Sequence, residues 1–305
     1  RVSIFLAPSR VQNAMQTVRA PATSANLGSG FDVFGVALGR PADVIRVDRA
    51  SATTIEVTGV GARYIPTDPE KNVVGAVAEA LDAPAHIRID KGVRPSSGLG
   101  SSAASAAGAA LALNALYDRG HSREELVPIA AEGEAVVSGA AHADNVAPAL
   151  LGGFTVATPA EVLSLPASIP LVACLPEIAV STRDARAVVP EAVAIAELVE
   201  TVGAASTLVL GMAADDVALV GEGMDDPVVT PARAELITGY RRVESAAYDA
   251  GAAGVTVSGA GPAVLAVCPR EMRRPVAAAM VRAFDASGID ARAYQTAVGP
   301  GAMLY

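Results

Sequence analysis

The residues from Pro95 to Ser105 (Pro-Ser-Ser-Gly-Leu-Gly-Ser-Ser-Ala-Ala-Ser) are the best equipped in this chain to hold a phosphorylated ligand. Gly98 and Gly100 let the backbone approach a ligand closely. The alanine-rich run Ser101–Tyr117 predicts a helix whose first amides and dipole attract an anion. Serine hydroxyls add donors and can bind Mg2+. A Walker loop is excluded, because it needs Gly-Lys-Ser/Thr and no lysine lies here. A dinucleotide fingerprint through Gly98, Gly100 and Ala103 fits poorly, since its glycines should leave a strand directly, whereas eight residues separate Ile89 from Gly98. A loop that merely packs a small-residue helix explains the glycines but not the serines beside them.

Further polar residues stand apart from this loop. Glu134 lies on the same helical arc as Val127, Ala130, Ala131 and Val137, where an acid needs a partner unless it is simply solvated. Asn26 and Asp32 sit in a Gly/Ser-rich opening segment. His142, Asp144 and Asn145 follow the helix of Glu134. Thr182, Arg183 and Arg186 share one short stretch, Arg233 opens a helix after Thr230-Pro231, and Gly259 and Gly261 lie in a Gly-rich turn. Each has a plain alternative: an exposed arginine is usually just solvated, and a lone histidine more often caps a loop.

These groups need a frame. Gln16–Ala20, Ala42–Val47, Thr54–Val57 and Ile87–Ile89 read as strands, and Asn72–Leu81 has helical spacing. Ser122-Arg-Glu-Glu125 is a capping box opening a helix to about Ser138. The proline-containing segment Pro159–Pro170 marks the best boundary. Beyond it the order is a strand (Leu171–Cys174), two or three helices in Glu191–Gly221, and a helix from Thr230-Pro231 to near Gly251. Strands Gly254–Ser258 and Ala263–Val267, a helix Glu271–Ala286 and a strand Ala291–Thr296 complete it. That order is the split βαβ of ferredoxin-like domains.

With 305 residues, two fused domains are expected. The net charge of −9 disfavours nucleic acid as a partner. Half the residues are apolar, yet Gly, Ser or a charge interrupts the apolar runs, so a soluble, cytoplasmic chain without membrane partners is expected. Only Lys71 and Lys91 are lysines; the acidic, Lys-poor balance suits a high-salt cytoplasm, and GC-rich coding gives the same bias. Cys174 and Cys268 read as buried thiols rather than a disulfide or zinc site. Residues 1–14 carry no signal-peptide order and read as an extension outside the fold.

Three segments together resemble one family. Pro95 to Ala104 is similar to the phosphate loop of the GHMP kinases, and that family's two other motifs flank it in the family's order, Ala20–Leu38 near the start and Val257–Val264 near the end. Within the family, 20–32 and 139–153 are similar to the homoserine kinases. The resemblance implies an α+β, two-domain GHMP kinase fold: a ribosomal protein S5 domain 2-like unit over 15–162 and a ferredoxin-like unit over 163–305, often as a homodimer. It implies transfer of the γ-phosphate of ATP to the side-chain hydroxyl of L-homoserine, in threonine biosynthesis. It also implies a nucleotide site of Pro95, Ser96, Ser97, Gly98, Leu99, Gly100, Ser101, Ser102, Ala103, Ala104 and Ser105, with Asn72 near adenine, and a Mg2+ site of Ser102 and Glu134. For the zwitterionic substrate it implies Asn26, Asp32, His142, Asp144, Thr182, Arg186, Arg233, Gly259 and Gly261, with Asp144, Asn145 and Arg186 at the reacting end. Arg183 competes with Arg186. Asp144 is a base or a positioning group; positioning, with no dedicated base, is the reading adopted. Another small alcohol such as mevalonate or a sugar, and a catalytically silent sensor, are the alternatives.

Overall fold

The structure is a computed structural model and describes residues 15–138 and 143–305. Residues 1–14, expected to be an extension, and His142 lie outside the described residues.

The first sheet begins with β1 (Gln16–Ala25) and the long β2 (Phe34–Arg49), antiparallel across a register shift between Pro21 and Thr23. β3 (Thr54–Gly59), α1 (Val73–Ala80) and β4 (Ala85–Lys91) follow, with β4 antiparallel to β2 and parallel to β3. Three helices then lie against the sheet: α2 (Ser101–Tyr117), α3 (Arg123–Ser138) and α4 (Ala143–Leu151). α2 has no polar face. Its alanines and Gly108 are buried on several sides, so the helix sits deep in the core. α4 has no counterpart in the sequence expectation, where Gly139–Gly153 reads only as a motif; its nine residues are too few to show a period. β5 (Phe154–Ala157) and β6 (Val162–Leu165) extend the sheet.

The second sheet runs β10-β7-β9-β8, built from β7 (Pro170–Pro176), β8 (Gly254–Val257), β9 (Val264–Val267) and β10 (Ala291–Ala297), all neighbours antiparallel. Between β7 and β8 come α5 (Thr182–Ala187), α6 (Ile195–Ala214), α7 (Val217–Gly223), α8 (Val229–Ala234) and α9 (Tyr240–Asp249); α10 (Arg273–Asp285) precedes β10. The split βαβ expectation is met. The single helix expected from Thr230 to Gly251 is two: α8 stops at Ala234, and Gly239, with φ 86°, stands at the start of α9. β7 is buried on both faces: Leu171 and Ala173 join the core of the first sheet, while Val172 and Cys174 pack with α9 and α10. Both cysteines are free and buried, and burial pushes their thiols up to about 12 (Cys174) and about 11 (Cys268), as inert thiols should be.

The expected division at 162/163 cuts through paired structure. β6 pairs with β5, and the last strand, β11 (Met303–Leu304), returns to pair with β1. The expectation that no apolar block approaches membrane length also meets an exception: α6 is long and apolar enough by length and composition.

Candidate active site

The three motifs, far apart in sequence, meet at one cleft. The hydroxyls of Ser24 and Ser258 lie 2.8 Å apart, and Ser258 Oγ also donates to the Gly98 carbonyl at 2.7 Å. Ala263 N donates to Ser97 O at 3.0 Å, and Gly259 N to Ala25 O at 3.1 Å. Ser29 Oγ reaches Gly223 O at 2.6 Å. The Gly-rich turn after β8 therefore clamps the Pro95–Gly100 loop from the second sheet. Two glycines make that approach possible. A Cβ on Gly98 would stand 2.5 Å from Ser258 O; on Gly100 it would stand 1.9 Å from Thr23 Oγ1. Both have positive φ, at 78° and 60°.

The cleft has a volume of about 530 Å3. The loop delivers the start of α2 to it. The first intrahelical bond is Ala104 N to Gly100 O, so the amides of Ser101, Ser102 and Ala103 precede the ladder and are free for an anion. Side chains divide differently from the sequence expectation. Leu99, Ala103 and Ala104 are buried in the core and serve only through backbone. Ser101 Oγ donates to Val93 O at 2.8 Å, whereas Ser102 hydrogen-bonds the carboxylate of Glu134. Ser105 donates to Asp43 at 2.9 Å. Asn72 caps α1, accepting from Val74 N at 3.1 Å and donating to Pro66 O at 2.6 Å, so it lines the cleft with its amide already engaged.

Glu134 is 4% exposed. Burial pushes its carboxyl up to about 7; Ser102 and Lys91 oppose that and Asp144 adds to it. Glu134 and Ser102 thus pair one carboxylate with one hydroxyl at an anion-binding helix start. That donor set fits Mg2+, which leaves its other positions to phosphate and water.

In the same cleft, Asp32 and Arg186 form a two-pronged ion pair at 2.5 and 3.2 Å. Arg183, the alternative, is 94% exposed at its side chain and lies 3.9 Å from Asp184. Asp32 has φ 57°, and its N–H donates to Asn26 Oδ1 at 3.0 Å; Asn26 Nδ2 donates to Gly259 O at 3.1 Å. Arg233 is buried, donating from Nε to Ala185 O at 3.1 Å and from Nη1 to Gly259 O at 2.7 Å. Asp144 is buried in the first turn of α4 and lines the cleft beside Asn145, whose Oδ1 accepts from Thr23 at 2.9 Å. Thr182 and Gly261 also line it.

Sequence reasoning missed two residues. Lys91 is buried at the end of β4 and donates to Asp43, to Ser101 O at 2.8 Å and to Ser105 Oγ at 3.0 Å; burial lowers its pKa while Asp43 raises it. One of only two lysines, just before the loop, was the available signal. Phe31 carries two guanidinium groups on its ring, Arg186 at 5.1 Å and Arg233 at 5.0 Å.

The GHMP kinases N terminal domain profile matches residues 71–153, and the GHMP kinases C terminal profile matches 208–286. The homoserine kinase of Haloquadratum walsbyi is 72% identical over 291 residues, 95% of this chain and 100% of that protein. The homoserine kinase of Halorubrum lacusprofundi is 73% identical over 290 residues, 95% of this chain and 99% of that protein. The crystal structure of homoserine kinase from Cytophaga hutchinsonii superposes with a TM-score of 0.88 at 35% identity, covering 99% of this chain and 100% of that one. The chain belongs to the GHMP kinase family, on its homoserine kinase branch.

Proposed function

We propose that this chain transfers the γ-phosphate of ATP to the side-chain hydroxyl of L-homoserine, a step of threonine biosynthesis in the cytoplasm. The carrying observation is that one cleft joins an anion-binding helix start to an adjacent carboxylate–guanidinium pair. A free amino acid needs a cation for its carboxylate and an acid for its ammonium, and Arg186 and Asp32 offer both within one contact. A sugar has no carboxylate, and mevalonate has no ammonium.

In this reading residues 15–162, with the strands β6 and β11, hold the nucleotide. The rest of 163–305 supplies Thr182, Arg186, Arg233 and the Gly259–Gly261 turn to the substrate. Phosphoryl transfer needs positioning and charge stabilisation more than covalent help. The amides at the α2 start cradle the phosphates, while Ser102 and Glu134 hold Mg2+. The bound ion neutralises charge on the phosphate oxygens. Asp144 and Asn145 position the hydroxyl end. Lys91 is committed to Asp43 and the α2 start, and Asp144 acts as a positioning group.

The test is ADP release with Mg·ATP across homoserine, mevalonate, galactose and threonine. Turnover with homoserine alone is expected; robust turnover of another compound overturns the substrate, and nucleotide binding without any turnover favours a sensor.

A further inference from the structure

The helix α8 is six residues long, yet a buried charge stands at each of its ends. Arg233 lies in its last turn and is 5% exposed, and Asp226, just ahead of its first turn, is 6% exposed. The Asp226 carboxylate accepts from three successive backbone amides: Val228 N at 3.0 Å, Val229 N at 3.2 and 3.0 Å, and Thr230 N at 2.6 Å. The chain is fixed on both sides of it. Ser29 Oγ donates to Gly223 O at 2.6 Å, and a Cβ on Gly28 would stand 2.0 Å from Met224 O. Beyond Asp226, the hydroxyls of Thr230 and Thr256 lie 3.0 Å apart and pin α8 to β8.

A serine or asparagine would cap so short a helix without burying a charge. The two charges follow the helix dipole, anion at the start and cation at the end. Burial lowers the Arg233 pKa; Asp32, Asp144 and Asp226 oppose that, and Arg186 adds to it. Of those three acids, Asp32 and Asp144 line the cleft, and Asp226 does not. Asp226 is therefore the counter-charge that a bound substrate does not claim.

We propose that Asp226 is a positioning residue for substrate binding: it holds the start of α8 and supplies the charge that keeps Arg233 in place at the substrate end of the cleft. This rests on the reading above, in which Arg233 serves the substrate. Arg233 donates from Nε to Ala185 O and from Nη1 to Gly259 O, so it faces the cleft between α5 and the Gly-rich turn. Attractions compete for it. With Asp226 charged, part of the pull comes from the start of α8. Without that charge, the remaining pull comes from Asp32 and Asp144 in the cleft. An Arg233 drawn onto Asp32 would take the acid that the substrate ammonium needs. It would also give up the carbonyls that hold it beside Arg186. Salt screens buried charges little, so Asp226 acts on Arg233 through the length of the helix.

The experiment is steady-state kinetics on the full chain, with urea melts and circular dichroism alongside. Asp226→Asn and Asp226→Ser each keep a capping oxygen and remove the charge. Both should raise the KM for homoserine about 10- to 30-fold, part of the worth of one charge-assisted hydrogen bond, and leave the KM for ATP within about threefold. A mere helix cap predicts otherwise: stability falls while the KM for homoserine stays put, and that result overturns the proposal. Equal rises in both KM values overturn it too, as does a failure of both variants to fold. In an Arg233→Met background, with kcat/KM read below saturation, adding Asp226→Asn should lower it less than about twofold, because its target is gone. A loss there as large as in the wild-type background means that Asp226 acts on its own, and the proposal falls. Failure of the homoserine reading looks different: the wild-type chain itself would not turn homoserine over, and the proposal would fall with it.

Discussion

Arg186 spans the cleft to hold Asp32 through two nitrogens, at 2.5 and 3.2 Å, joining α5 to the segment before β2. Both side chains are close to half exposed, so the pair is worth no more than about 1 kcal/mol and is easily opened. A zwitterion can enter between them, its carboxylate taking Arg186 and its ammonium taking Asp32, with no net change in charge. Arg186→Ala should raise the KM for homoserine on the order of 100-fold, the worth of a charge-assisted bidentate contact. The KM for ATP should stay within about threefold. Steady-state kinetics checks this, and equal shifts in both constants would reassign Arg186.

Glu134 sets a pH dependence. Its carboxyl is raised from the ordinary 4.5 to about 7 in the folded chain, so between those values the folded state binds more protons than the unfolded one. Stability of the ligand-free protein should therefore fall as pH rises from about 4.5 to about 7, by up to about 3 kcal/mol. Glu134→Gln should flatten that decline in urea melts at pH 5 and pH 8. The same substitution should cut kcat on the order of 1,000-fold while the fold persists. A melt profile identical to wild type would remove the carboxyl from this role.

Phe31 supports two like charges on one ring. Cation–π contacts of about 0.5–2 kcal/mol each add to the pull of the Asp32 carboxylate in holding Arg186 and Arg233 in place. Phe31→Leu should raise the KM for homoserine about tenfold with little change in kcat or in the KM for ATP. Phe31→Tyr should restore it, since the ring is what matters. If Leu and Tyr behave alike, the ring is only filler.

What could be read from the sequence was local, or was carried by a pattern long enough to repeat. The Pro95–Ser105 loop announces itself because glycine, serine and the alanine helix are contiguous. The second sheet was legible because its strands are short apolar runs between clear turns. Phe31 was not legible: the two arginines that lie on it are 155 and 202 residues away in sequence, and only the fold brings them there. Ser101 and Ser102 are neighbours of one type in sequence, and the start of α2 separates them by aiming the first at Val93 O and the second at Glu134. β11 was missed because two residues carry no period; its pairing depends on β1 being in place.

Lys91 is the remaining test of how the site is built. Its ammonium is enclosed by Asp43, Ser101 O and Ser105, while Asp43 also accepts from Gly92 N at 3.0 Å and Val93 N at 2.9 Å. This cluster pins the end of β4 and the start of α2 to β2. Removing the cation would leave Asp43 charged and buried, which costs about 3–5 kcal/mol. Lys91→Met should lose that much stability, and it should raise the KM for ATP because Ser101 at the helix start loses its tether. The double variant Lys91→Met/Asp43→Asn should recover most of the stability, since no charge is then stranded. It should not recover ATP binding, because the tether to Ser101 is still missing. Urea melts and a double-mutant cycle separate the two effects. Additive losses of stability would mean that Lys91 and Asp43 act independently, and the pair would no longer explain the position of α2.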